Sequence, residues 1–241
     1  MGAAFYHPPF SLVAMSSDVH NTLIKICGLT READVLACVQ AGANAIGFVI
    51  YPPSARYVSP ERAGILAKLL PPGTTPVLLF VNASLEEVQA ACQSVPNALL
   101  QFHGDESPDE CERLAHAVNR PYWRAARIPT ENTTSFDLVK FAQDYSKAQA
   151  ILLDAHVDGY GGGGKTFNWS QLPPNVNAHL VLSGGLTPAN VTDGIRTLRP
   201  KALSLAVDVS SGVELDGQKG LKDVRKIQEF VAAVKAADAI E

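Results

Sequence analysis

The sequence predicts an α/β chain folded as a single (β/α)8 barrel, with eight parallel strands, outer helices and the chemistry at the carboxyl-terminal face of the strands. Three observations carry this. Short apolar runs alternate with helical segments along 241 residues, with no break in composition and no linker. Several runs, such as 45–50 and 150–153, are apolar throughout, as strands covered on both faces must be. The distinctive residues fall after strands, while the returns from helix to strand look plain. Strands joined by crossover helices run parallel. Eight such units in this length fit a closed barrel better than an open doubly wound sheet.

Each element has its own signal. Residues 23–26 read as a strand that stops at Cys27-Gly28. Thr30 then opens an amphipathic helix with Glu32 and Asp34 in its first turns, ended by Ala41-Gly42. Strand 45–50 leads into a loop, 51–59, too rich in proline for a helix, and Pro60 starts the next helix. Pro71-Pro72-Gly73 breaks it. Strand 76–81 is followed by Ser84 with Glu87 three residues on, the pattern of a capping box. Strand 98–102 precedes His103-Gly104-Asp105 and a helix to about residue 118. Strand 122–128 and a helix over 135–145 come next, then strand 150–154. The loop 155–167 is laden with glycine, and Asn168-Trp169 begins a short helical turn at best, the weakest link in the pattern. Strand 179–183, Gly184-Gly185, a helix over 188–198, strand 202–208 and a closing helix over 220–236 complete the chain.

Composition excludes several classes. The chain is 46% hydrophobic and 18% charged with a net charge of −4, so it offers no general attraction to nucleic acid or to an anionic membrane. No apolar run is long enough to span a bilayer. Cys27, Cys38, Cys92 and Cys111 show neither C-x-x-C nor zinc spacing, which suits a reducing cytoplasm and predicts no metal site. Residues 1–21 contain no Lys or Arg and no clear period. They read as a loosely ordered extension, with Met15 as an alternative start, before a catalytic domain over 22–241.

The rim collects the candidate chemistry. Cys27, at a strand end, is either a small buried thiol or a reactive one. Gly159 to Thr166 matches the phosphate-cradle pattern G-x-x-x-x-G-K-[ST], which alone would suggest a nucleotide hydrolase. A cradle needs a helix directly after Lys165-Thr166, and 167–174 cannot build a long one. A lid closing over substrate fits so many glycines better, with a lid free of ligand contacts as the plain alternative. A stronger anion signal is Gly184-Gly185 before a helix start, together with Ser210-Ser211 after the last strand, where barrels often hold a phosphate; plain turns are the alternative.

In order along the chain, KICGLT, GFVIYPPSARYVSP, LFVN, LLQFHGDE, ILLDA, GGGGKTFNW, LSGGL and AVDVSSGVE resemble the phosphoribosylanthranilate isomerase family, from about Thr22 to the C-terminus. The resemblance implies an enzyme: a (β/α)8 barrel that rearranges phosphoribosylanthranilate, an aldose derivative, into the carboxyphenylamino-deoxyribulose phosphate in tryptophan biosynthesis. It implies Cys27 as general base, Asp154 as general acid, Arg56 as partner of the anthranilate carboxylate, and Gly184, Gly185, Ser210 and Ser211 as the phosphate site. His103 and Asp208 match motif positions without an assigned role; His103 is equally read as structural, and Arg56 without the family match as a solvated loop residue. The chemistry asks for a thiol pKa lowered by amides or a cation. It also asks for a carboxyl that arrives protonated. The implied partners are one small-molecule substrate, no nucleic acid and no membrane, with a monomer or weak homodimer and no cofactor. The rival readings are another sugar-phosphate isomerase on the same scaffold and a non-catalytic phosphate-binding barrel. Phe102 stands where the family has Leu, a swap expected to reshape the pocket slightly. Gly163 replaces Thr or Ser and is expected to loosen the lid.

Overall fold

The computed structural model describes residues 21–129, 136–155 and 168–239. Eight strands pair in chain order, all parallel: β1 (Leu23–Cys27), β2 (Ala45–Val49), β3 (Thr75–Phe80), β4 (Leu99–Phe102), β5 (Tyr122–Ile128), β6 (Ala150–Ala155), β7 (His179–Leu182) and β8 (Ser204–Val209). β8 pairs back onto β1 through Leu23↔Ala206, Ile24↔Val207 and Lys25↔Asp208, so the sheet is a closed barrel. The outer helices are α1 (Glu32–Ala41), α2 (Pro60–Ala67), α3 (Leu85–Ser94), α4 (Pro108–Val118), α5 (Leu138–Asp144), α6 (Val191–Leu198) and α7 (Val224–Asp238). Between β6 and β7 the described residues form one 3-10 turn, Trp169–Gln171, in line with the weak helix signal there.

Local chemistry accounts for most boundaries. Ser59 accepts from the Arg62 amide with Pro60 at the first helical position. Ser84 and Glu87 make both bonds of the capping box. Gly42 ends α1 at φ +99°. Other boundaries depart from expectation. Thr30 does not cap α1: the capping position is Arg31, and the Thr30 hydroxyl donates to the Gly220 carbonyl 3.0 Å away. The closing helix starts at Val224 rather than 220, because Gly220 has φ +85° and Asp223 accepts from the Arg225 and Lys226 amides. β8 starts two residues late because Arg199–Lys201 coil into a 3-10 turn.

Strand side chains alternate between lumen and helix layer. Leu23, Ala45, Val77, Leu99, Trp123, Ala125, Ala150, Leu152, Val181 and Ala206 form one cluster inside the barrel. Their neighbours, among them Ile24, Ile46, Leu78, Leu100 and Leu153, join the larger core beneath the helices. Phe102 belongs to that outer layer, 6.2 Å from Phe80 and 5.6 Å from Tyr122 between ring centres, so its replacement of Leu does not reshape the lumen. Trp123 is the largest side chain of the inner cluster and is fully buried. Trp123→Ala is expected to cost about 3–5 kcal/mol in urea unfolding. Leu203→Ala, 59% exposed, should stay within about 0.5 kcal/mol of the parent in the same measurement.

Candidate active site

The same two-residue period that builds the inner cluster carries polar groups up to the rim. Continuing from Leu23, the lumen positions of β1 are Lys25 and Cys27; from Leu99 they are Gln101 and then His103; from Leu152, Asp154; from Ala206, Asp208 and then Ser210. The upper end of the barrel is therefore lined by ionisable side chains held nearly out of water. Lys25 and Gln101 are fully buried, and Cys27, His103, Asp154 and Asp208 are 4–6% exposed.

They form two polar units. His103 Nε2 lies 2.9 Å from Asp154 Oδ2, and Gln101 Nε2 lies 3.0 Å from His103 Nδ1. The imidazole therefore stands between the Gln101 amide and the Asp154 carboxyl. His103 is thus a direct partner of the predicted acid. The second unit is Lys25 Nζ, 2.8 Å from Asp208 Oδ1. Burial alone disfavours the ammonium, but Asp208 and Cys27 together hold it above the usual lysine value, so it is charged.

Cys27 sits beside that cation. A Cβ on Gly47, its Cα partner on β2, would fall 2.6 Å from Cys27 Sγ and 3.1 Å from Lys25 Cε, so the thiol occupies space that any larger residue would take. Burial pushes the thiol pKa up, opposed by the charge of Lys25 and raised further by Asp208. The expectation of a lowered thiol pKa is not met; desolvation exceeds the pull of the neighbouring cation.

Arg56 reaches this corner from the loop after β2. Its side chain lies over Gly28, where a Cβ would be 2.5 Å from Arg56 Cδ, and Gly28 also needs φ +78°. The guanidinium is not solvated: Nε and Nη2 donate to Glu214 Oε1 and Oε2 at 2.7 and 2.9 Å. Ser210 donates its hydroxyl to the Cys27 carbonyl at 3.1 Å, tying the loop after β8 to the end of β1.

The two predicted anion loops press together. Gly184 and Gly185 take φ +76° and +66°, and a Cβ on Gly184 would meet the Ala155 amide at 2.5 Å and Asp154 Oδ1 at 2.9 Å. A Cβ on Gly212 would fall 1.9 Å from the Leu186 carbonyl. The Gly184 and Gly185 amides donate to no carbonyl among the described residues. Ser211 opens a 3-10 turn, Ser211–Val213, on the facing loop. The loop 156–167, with its cradle-like pattern, and residues 1–20 lie outside the described residues.

Several participants carry no motif label. Lys25 stands in KICGLT, yet its alternation with Ile24 and Ile26 makes it look like a solvated strand position. Glu214 closes AVDVSSGVE without an evident task. Gln101 stands in LLQFHGDE without an assigned task, and Lys222, whose Nζ lies 3.1 Å from Glu214 Oε1, gave no sequence signal. A barrel lumen reverses the usual inference from polarity to exposure.

A closed parallel barrel that gathers buried ionisable side chains, and glycine amides unbonded among the described residues, at the carboxyl ends of its strands has the architecture of an enzyme acting on a small molecule. The comparisons specify it. A family profile described as N-(5'phosphoribosyl)anthranilate (PRA) isomerase matches residues 24–233. The N-(5'-phosphoribosyl)anthranilate isomerase of Leptothrix cholodnii is 58% identical over 219 residues, covering 91% of this chain and 93% of that protein. Its counterpart in Methylibium petroleiphilum is 57% identical, covering 91% and 96%. The crystal structure of phosphoribosyl anthranilate isomerase from Thermotoga maritima aligns with TM-score 0.77 at 38% identity, covering 90% of this chain and all of the other. A phosphoribosyl anthranilate isomerase in complex with reduced 1-(o-carboxyphenylamino)-1-deoxyribulose 5-phosphate aligns with TM-score 0.74 at 35% identity over the same shares. The chain belongs to the N-(5'-phosphoribosyl)anthranilate isomerase family, an aldose–ketose isomerase of tryptophan biosynthesis. No helix among the described residues is long and apolar enough to cross a membrane.

Lys25 lowers the Cys27 pKa against burial, so removing its charge should raise the pKa further and leave less thiolate at any given pH. Lys25→Met is expected to slow iodoacetamide alkylation of Cys27 about tenfold at pH 8. Peptide mapping separates Cys27 from Cys38 and Cys111, both pushed by burial up to about 12, and Cys92, up to about 11. An unchanged rate would show that Lys25 does not act on the thiol.

Proposed function

We propose that Cys27 and Asp154 are the base and the acid of the isomerisation. Asp154 protonates the ring oxygen of the phosphoribosyl furanose, the C1–O bond breaks, and the anilino nitrogen's lone pair forms the iminium. Cys27 as thiolate then removes the proton from C2. The C2–H electrons form the enolamine C1=C2 bond, and the iminium π electrons return to nitrogen. Tautomerisation to the C2 ketone completes the Amadori rearrangement. The iminium nitrogen is itself the electron sink, so this chemistry calls for no metal or redox cofactor.

The observation that carries the reading is the parity of the barrel: Cys27 and Asp154 both occupy lumen positions at strand ends, nearly buried. Each also has a polar side chain next to it, Lys25 for the thiol and His103 for the carboxyl. His103 suits the task of orienting Asp154, with Gln101 orienting His103 in turn. A thiol pKa raised by burial suits a step in which the base is needed when a cation forms. The positive iminium beside Cys27, like Lys25, favours the thiolate that must remove the proton, the thiol proton passing to solvent first.

Arg56 is the residue for the anthranilate carboxylate, and Gly184, Gly185, Ser210 and Ser211 for the phosphate. Ser210 Oγ–H is engaged by the Cys27 carbonyl, so the backbone of that loop and Ser211 are its freer donors. The relative solved with a reduced carboxyphenylamino-deoxyribulose phosphate holds a ligand with both of these anionic ends.

Cys27→Ala and Asp154→Asn are each expected to lower kcat by about 10²–10⁴, the usual scale for a general acid or base, with far-UV circular dichroism unchanged. The assay follows loss of phosphoribosylanthranilate fluorescence. Near-normal turnover in either variant removes that residue from its role. EDTA at millimolar concentration should leave turnover unchanged, and loss of turnover would revive the nucleotide-hydrolase reading of the glycine loop.

A further inference from the structure

An acid beside an anion site calls for a reason, because a carboxylate repels the carboxylate that Arg56 is there to bind. Glu214 is 5% exposed and meets the guanidinium side-on, through Nε and Nη2. That geometry commits two of the five N–H donors and leaves the opposite edge, Nη1 with the second Nη2 hydrogen, for a second planar anion. Among the described residues nothing is bonded to Nη1. Glu214 is also not a stand-in that substrate would displace. Its Oε1 accepts from Lys222 Nζ at 3.1 Å and from the Gly220 amide at 3.1 Å, in addition to Arg56. Burial would raise the Glu214 carboxyl, but the Arg56 hydrogen bonds and the Lys222 and Arg56 charges hold it below the usual carboxylate range, so it stays an anion.

Lys222 carries the constraint to the other end of the site. Its Nζ donates to the Ser210 carbonyl at 3.0 Å and lies 3.3 Å from Ser210 Oγ, and its own amide donates to Asp34 at 3.2 Å. Asp34 is in turn held by Arg31. Arg56, Glu214, Lys222 and Ser210 thus form one buried chain from the loop after β2 to the loop after β8.

We propose that Glu214 is a positioning residue that turns the Nη1–Nη2 edge of Arg56 toward the aryl carboxylate, and that Lys222 fixes this edge relative to the phosphate loop. The pair selects substrates in which a carboxylate and a phosphate stand at one fixed separation. The inference rests on the reading of Arg56 as the carboxylate residue.

The test measures binding of two probes by calorimetry: reduced carboxyphenylamino-deoxyribulose phosphate and its phenylamino analogue without the carboxylate. Glu214→Gln is expected to weaken the first about tenfold and the second less than about twofold. In an Arg56→Ala background the same substitution should have no further effect on either probe. Glu214→Asp keeps the charge but withdraws it by one methylene, too short to span Nε and Nη2. It is read the same way if the Gln variant fails to fold. Equal weakening of both probes, or a loss that persists without Arg56, overturns the proposal and leaves Glu214 a structural residue. If the parent protein itself does not favour the carboxylate-bearing probe, or Arg56→Ala keeps that preference, the reading of Arg56 falls instead.

Discussion

Lys25 and Asp208 are Cα partners on the seam where β8 closes onto β1, both side chains out of water and 2.8 Å apart. A pair of this kind adds little net stability when complete, because desolvation offsets the attraction. Losing one partner strands a buried charge at a cost of about 3–5 kcal/mol. The barrel therefore closes in one register or pays heavily, since a slip of one residue would turn Lys25 toward the apolar layer under the helices. The same register carries Cys27 to the lumen one pleat above Lys25. Closure of the fold and the electrostatics of the thiol are one constraint.

Close packing at glycines shapes the rest of the rim. Gly47 leaves room for the Cys27 sulfur, Gly28 for the Arg56 side chain, Gly184 for the Asp154 carboxyl and Gly212 for the Leu186 carbonyl. In each case a methyl group would enter space held by a functional side chain or its supporting backbone. At Gly28 and Gly184 the left-handed conformation adds a second restriction. The glycines act here through the volume they do not fill, which brings four separate loops into contact around one opening.

Most of the fold was legible in the sequence, because strand runs, proline starts and caps are local signals. Ser84 with Glu87 and Pro60 behave as their types dictate. Thr30 misled because a threonine before an acidic turn is a common cap, whereas its hydroxyl here finds a carbonyl 190 residues away. The candidate site was legible where strand ends and loops carry unusual residues: Cys27, Asp154, Arg56, Gly184 and Gly185. It was not legible where function depends on which face of a strand is buried. Lys25 and Gln101 look solvated in an alternating pattern, and lie in the lumen because the sheet closes on itself. Glu214 and Lys222 were missed for another reason: their meaning lies in Arg56, more than 150 residues away.

The charge balance explains how a chain of net charge −4 can hold a substrate with a carboxylate and a phosphate. Around Cys27 the buried groups are three cations, Lys25, Arg56 and Lys222, interleaved with two anions, Asp208 and Glu214. Unopposed, the two lysines would lose charge to desolvation and to repulsion from each other and from Arg56. Burial already pulls Lys222 below the usual lysine value, with Glu214 working against it. The two acids favour the charged form of the lysines and fix Arg56 in direction, at the expense of part of the cations' attraction for anions. What is left for an anion is the edge of Arg56 that Glu214 does not hold, supplemented by backbone amides that carry no counter-charge. In that arrangement the direction in which a cation points matters more than the number of charges.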